Sequence, residues 1–122
     1  MESKKKNILF VENDWSVAVT IKEILERYDF EVTISLRSTE ALMFIQSQPK
    51  IIDIVISDLH LPNYNGVDLA REIHDVRTDI PFILCTKDKS INEDEIKGMG
   101  IINKIFYKPF PLEDFIETIN AC

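Results

Sequence analysis

No apolar run in this sequence approaches the roughly 20 residues that a membrane-spanning helix requires, and Met1 to Asn7 is polar rather than signal-peptide-like. The expectation is a cytoplasmic protein with no membrane partner. Cysteine is scarce: Cys85 sits inside an apolar run and Cys122 at the end of the chain. Two such residues give neither a metal-ligand spacing nor a disulfide framework, and Cys85 reads as a small core residue. Basic residues are outnumbered, 14 against 21 acidic, for a net charge of -7. Most of such a surface repels phosphate, which argues against non-specific binding of nucleic acid or anionic lipid. The cluster Lys4, Lys5, Lys6 reads as a solvated leader before the first strand. No repeat, linker or low-complexity stretch interrupts the chain.

What is present is an alternation of short apolar runs and helical patterns. The 122 residues, 45% of them hydrophobic, suffice for one domain spanning 1–122 with a core at about 7–120. Ile8 to Val11 form a continuous apolar run, as a strand covered on both faces would. From Asp14 onward Val17, Ile21, Ile24, Leu25 and Tyr28 recur at helical spacing. Val32, Ile34 and Leu36 alternate with polar residues, which suits an edge strand. Ser38 is expected to cap a second helix carrying Ala41, Leu42 and Ile45, which Pro49 ends. Ile54 to Ile56 give a third strand, and Leu69, Ala70, Ile73 and Val76 a third helix. Phe82 to Cys85 follow Pro81 as a fourth strand, and 90–98 reads as a weaker helix with acids near its start. Ile101, Ile102, Ile105, Phe106 and Tyr107 supply a fifth strand. Leu112, Phe115, Ile116 and Ile119 supply a fifth helix, opened by Pro111.

Five strand-helix pairs predict an α/β doubly wound domain, a five-stranded parallel sheet with helices on both faces. In such folds ligands sit beyond the carboxyl ends of the strands, where the winding reverses. Those ends carry Glu12, Asn13 and Asp14 after strand one, Asp58 after strand three, Thr86 after strand four and Lys108 after strand five. Each alone is an ordinary solubilising terminus. Together, two acids held close call for a cation, and oxygen ligands without thiolate or paired histidine favour a hard ion such as Mg²⁺. With Lys108 as a fixed charge and Thr86 as a hydroxyl, the set can hold a phosphoryl group on Asp58.

From Ile8 to Ile119 the chain resembles the receiver domain of two-component response regulators. The motifs are "ILFVEND" at the first strand end, "ISDLHLPNYNG" with Pro62 and Gly66 after Asp58, "FILCT" ending in Thr86, and "YKPF" with Lys108 and Pro109. The resemblance implies a flavodoxin-like strand order 2-1-3-4-5. It implies a phosphoacceptor, Asp58, loaded from a phosphohistidine on a sensor histidine kinase or phosphotransfer protein, and a downstream effector protein or output domain as second partner. Mg²⁺ would be held by Asp58, by Glu12 and Asn13 and by the backbone carbonyl of His60, leaving the His60 imidazole incidental and His74 on the surface. Lys108 and Thr86 would stabilise the phosphoryl group, and a cis bond before Pro109 would aim Lys108 into the pocket. The domain would not be an enzyme, although it assists its own transfer and hydrolysis. Because nothing follows helix five, the expectation is a stand-alone or excised receiver.

Three positions depart from the family. Asn13 replaces an acid, which weakens the expected Mg²⁺ site unless Asp14 compensates. Lys87 stands where a small residue is usual beside the phosphoryl path. Ile105 occupies the position of the aromatic switch residue, and its β-branched side chain has no ring to sweep. Phe106 and Tyr107 are not expected to substitute simply, because successive strand residues point to opposite faces. Output would then run through backbone shifts between Lys87 and Gly100. An aspartyl phosphatase would need a second acid where His60 stands, and a flavodoxin would need a hydroxyl-rich loop where "VENDW" is acidic. The remaining alternative is a pseudo-receiver, a phosphorylation-independent docking module with the same fold.

Overall fold

A computed structural model describes residues 5–122. The apolar runs form a parallel sheet of β1 (Asn7–Val11), β2 (Glu31–Ser35), β3 (Ile54–Asp58), β4 (Phe82–Thr86) and β5 (Lys104–Tyr107). Between and after them lie α1 (Trp15–Arg27), α2 (Ser38–Ser47), α3 (Gly66–Val76), α4 (Glu93–Gly98) and α5 (Leu112–Ala121). The strand order is β2-β1-β3-β4-β5, as expected, so the alternating segment is indeed an edge. Each connection crosses over the sheet, which is why parallel neighbours are separated by a helix.

Alternation of side chains divides the core into two layers. Leu9, Val11, Val55, Leu84 and Ile105 face α2, α3 and α4. Ile8, Phe10, Ile54, Ile56, Cys85 and Phe106 face α1 and α5. The middle strands are buried on both faces, which accounts for their unbroken apolar runs. On the second layer Phe106, Phe110 and Phe115 stack with ring centroids 4.7 to 5.4 Å apart.

Several local expectations are corrected. Val17, Tyr28, Val76 and Leu112 are exposed, and Ala18 and Leu25 are the buried residues of α1. Ser38 is not a cap: Arg37 holds that position without a side-chain bond, and Ser38 begins the helix fully buried. Its hydroxyl donates to the Pro62 carbonyl at 2.8 Å and accepts from the Tyr64 amide at 3.2 Å, pinning the loop after β3. The weaker helix shrinks to the six residues of α4, capped by Asn92. Strand five begins at Lys104, because Asn103 exchanges two hydrogen bonds with Phe82 before the strand proper. Lys4 lies outside the described residues. Lys6 is tied rather than free, donating to the carbonyls of Ile119 and Cys122 at the end of α5. His74 is partly exposed on α3.

Candidate functional site

The alternation that builds the second layer also delivers the site. Phe10, Ile56 and Phe106 point toward α1 and α5, and the residues two further on are Glu12, Asp58 and Lys108. Three strands, β1, β3 and β5, therefore end by projecting a charged side chain into the same space, on the same face. Lys108 Nζ donates to Asp58 Oδ1, and to Glu12 Oε1 at 3.2 Å. Glu12 is 5% exposed, and its other oxygen accepts the Asp14 amide at 3.1 Å. One ammonium thus sits between two acids at the point where β1 and β3 diverge into crossovers on opposite faces.

These groups open into a crevice of about 330 Å³, whose walls include Leu59, Thr86 and Lys87. Burial raises the Asp58 carboxyl to about 6: desolvation outweighs the adjoining Lys108 ammonium, which pulls the other way, and Glu12 adds repulsion. Burial works to lower Lys108, but its bonds to Asp58 and Glu12 overcome it and hold the ammonium above its ordinary range.

The backbone around Asp58 is fixed by a close approach. A Cβ at Gly66 would lie 2.3 Å from the Asp58 carbonyl oxygen and 2.8 Å from Leu84 Cδ1. Only glycine fits there, and its amide donates to the Leu59 carbonyl at 2.7 Å.

Thr86 is buried, and its hydroxyl accepts from the Asp88 amide at 3.0 Å. Lys87 is exposed at the mouth. The Lys108–Pro109 bond is cis. Asn13 is exposed and lies outside the crevice lining. Asp14 lines the crevice, but its Oδ1 is committed to the α1 N-cap, accepting from the Ser16 and Val17 amides. Ile105 is buried in the first core layer, away from the crevice. The expectation for Tyr107 needs correction: two residues from Ile105, it shares that residue's face, and its phenol donates to Glu93 on α4 at 2.7 Å.

Reading the sequence missed Asp88. Its carboxylate meets the His60 imidazole at 3.1 Å, joining the loops after β3 and β4, and also accepts from the Ser90 amide. The run Asp88-Lys89-Ser90 carries the signature of a side-chain-to-backbone turn, the one signal that could have drawn attention to it.

The family model for the response regulator receiver domain matches residues 8–120. The chain belongs to this family. The response regulator ArlR of Staphylococcus epidermidis is 33% identical over 116 residues, which cover 94% of this chain and 51% of ArlR. A two-component response regulator of Arabidopsis thaliana, ARR14, is 31% identical over 81 residues, covering 66% of this chain and 21% of that protein. The chain thus spans about half the length of ArlR and about a fifth of ARR14. Among solved structures, a receiver domain from Clostridium thermocellum superposes with a TM-score of 0.88 at 26% identity, covering 95% of this chain and 92% of that one. The non-phosphorylated HemR receiver domain of Leptospira biflexa gives 0.82 at 31% identity, covering 96% and 93%. Receiver membership places the chain in phosphorylation-switched two-component signalling.

Proposed function

We propose that this receiver accepts a phosphoryl group on Asp58 from a phosphohistidine of a sensor kinase or phosphotransfer protein. The observation that carries the reading is the meeting of Asp58, Glu12 and Lys108 in one solvent-reached crevice. An Asp58 oxygen attacks phosphorus, the O–P bond forms as the P–N bond of the donor breaks, and the imidazole leaves with the electron pair. Such a transfer needs positioning and charge neutralisation more than covalent chemistry. Lys108 supplies a fixed positive charge, and the Thr86 hydroxyl, which accepts from the Asp88 amide, can donate its own proton to a phosphoryl oxygen. The carboxyl near 6 is largely ionised, and so nucleophilic, at neutral pH.

The donor set fits a hard divalent cation. Among the described residues no three His, Cys, Asp or Glu side chains form a metal cluster; the carboxylates lining the crevice are Asp58, Glu12 and Asp14, and the ion would be held by Asp58 and Glu12 with the backbone carbonyl of His60, which also lines it. Mg²⁺ tolerates such a set because it retains several waters. When bound it supplies charge neutralisation at the transferred group.

An apolar hollow of about 260 Å³, walled by Val17, Ile21 and Phe110, adjoins the crevice and shares Lys108 with it. It offers the phosphodonor protein a surface beside Asp58. The domain acts in the cytoplasm as a phosphoacceptor rather than an enzyme, contacts no nucleic acid or membrane itself, and reports to an effector protein or output domain. Among the described residues no helix is long and apolar enough to cross a membrane. The pseudo-receiver alternative gains no support from the relatives described above. Intact-mass measurement after incubation with Mg²⁺ and acetyl phosphate tests the reading. The wild type gains one phosphate and Asp58→Asn gains none; no gain in either refutes it.

A further inference from the structure

We propose that Ser38 and Thr39, in the first turn of α2, are positioning residues for the Mg²⁺ site, because they anchor the loop that carries the His60 carbonyl. The proposal rests on the reading of the crevice as the place where Mg²⁺ assists loading of Asp58. It gives α2, which contributes no residue to the crevice walls, a part in that chemistry.

The loop after β3 is anchored on both sides of His60. On the near side Leu59 prolongs the sheet: its amide donates to the Cys85 carbonyl at 3.0 Å, and its carbonyl accepts the Gly66 amide at 2.7 Å. On the far side the anchors are side chains of α2. The Ser38 hydroxyl donates to the Pro62 carbonyl at 2.8 Å and accepts from the Tyr64 amide at 3.2 Å, while the Thr39 hydroxyl donates to Asn63 Oδ1 at 2.8 Å. Among the described residues no backbone hydrogen bond holds His60, Leu61 or Pro62. The chain between the anchors is stiff, since the Pro62 ring locks its own φ and confines Leu61 to extended conformations. A restraint on the Pro62 carbonyl therefore reaches back to the carbonyl of His60.

Other contacts of this stretch are weaker or less directional. His60 pairs with Asp88, but its imidazole is 72% exposed, and exposed pairs contribute little. Leu61 packs against the first core layer, and apolar contact does not aim a carbonyl. Ser38 differs from both. It is 0% exposed, uses its hydroxyl as donor and as acceptor, and sits on a helix whose Ala41 and Ile45 are fully buried. Without that hydroxyl the Pro62 carbonyl and the Tyr64 amide lose their partners, and the loop must move to find others. Mg²⁺ demands near-ideal octahedral geometry, so a displaced carbonyl is a poorer ligand.

The test titrates Mg²⁺ against the wild type, Ser38→Ala, Thr39→Ala, Thr39→Ser and Ile45→Val. Affinity is read from amide NMR shifts of residues 58–60, and loop anchoring from hydrogen exchange of the Tyr64 amide. In Ser38→Ala that amide exchanges faster, and Mg²⁺ affinity falls by about tenfold, the low end for groups that hold a metal ligand in place. The Mg²⁺ concentration that half-saturates loading by acetyl phosphate, scored by intact mass, rises in parallel, while loading at saturating Mg²⁺ matches the wild type. Thr39 is exposed, so its replacement leaves the core intact should Ser38→Ala fold poorly. Thr39→Ala shows a smaller loss of affinity, and Thr39→Ser, which keeps the hydroxyl, shows none. Ile45→Val loosens the packing of α2 but removes no hydrogen bond to the loop, so it unfolds at lower urea and keeps wild-type affinity. Wild-type affinity in Ser38→Ala and Thr39→Ala, or an equal weakening in Ile45→Val, overturns the positioning role. A wild type with no Mg²⁺-dependent shift at residues 58–60 overturns the reading of the crevice as a Mg²⁺ site, and the role of Ser38 and Thr39 with it.

Discussion

Lys108 Nζ donates to Oδ1 of Asp58 from 50 residues further along the chain, and yet the carboxyl stands near 6 rather than below its ordinary 3.8. Burial outweighs the ion pair, so ionised Asp58 opposes folding. A carboxyl raised in the folded state contributes stability that is complete below 3.8 and lost as pH rises through about 6. Asp58→Asn removes that cost. Urea denaturation in EDTA should find the variant more stable by about 1 kcal/mol at pH 8, after solvent screening of a partly open site. The difference should disappear toward pH 4. An advantage that grows as pH falls would mean the ion pair, not desolvation, governs Asp58.

Gly66 makes a second prediction, one about packing. Its missing Cβ is what lets the start of α3 lie against the Asp58 carbonyl, at a distance no real Cβ could take. Backbone cannot rotate aside as a side chain can. Gly66→Ala should lose about 2–3 kcal/mol in denaturant unfolding, as overpacked sites do, despite alanine's better helix propensity. A neutral or stabilising effect would show that the loop after β3 yields freely.

The layers and the three charged strand ends were legible because both follow a period of two. Once Phe10, Ile56 and Phe106 are placed in a core, Glu12, Asp58 and Lys108 must share their face. Neighbouring strands then bring together residues 96 positions apart. Asp88, Ser38 and Glu93 escaped for the opposite reason. Their roles rest on single hydrogen bonds between loops and elements, across 28, 24 and 14 residues, and no periodic pattern encodes such pairings. Tyr107 was misjudged by counting from Phe106 instead of from Ile105, which is two residues away and therefore on the same face. Val17 and Tyr28 keep helical spacing with Leu25, yet the stripe buried against the sheet is narrower than the apolar pattern.

Asn13 stands exposed between Glu12 and Asp14, both of which line the crevice. An added carboxylate there falls well inside the screening length and strengthens the pull on a divalent cation, whether or not it ligates directly. Titration followed by Trp15 fluorescence should give Asn13→Asp a Mg²⁺ affinity on the order of tenfold tighter than wild type, since affinity at such sites follows the number of charged ligands. Equal affinities would mean that the amide costs the site nothing.

Lys87 borders the same crevice, but its side chain is exposed, and a long exposed side chain is held in no one geometry over Asp58. The contact fixed beside the crevice is instead the His60–Asp88 pair, which joins the loops after β3 and β4. Lys87→Ala should therefore leave the lifetime of the acyl phosphate within about twofold of wild type, the range of an ordinary surface substitution. The measurement is the decay of the phosphate mass gain after the donor is removed. A markedly shorter lifetime would make Lys87 a shield over the acyl phosphate and put its charge inside the site.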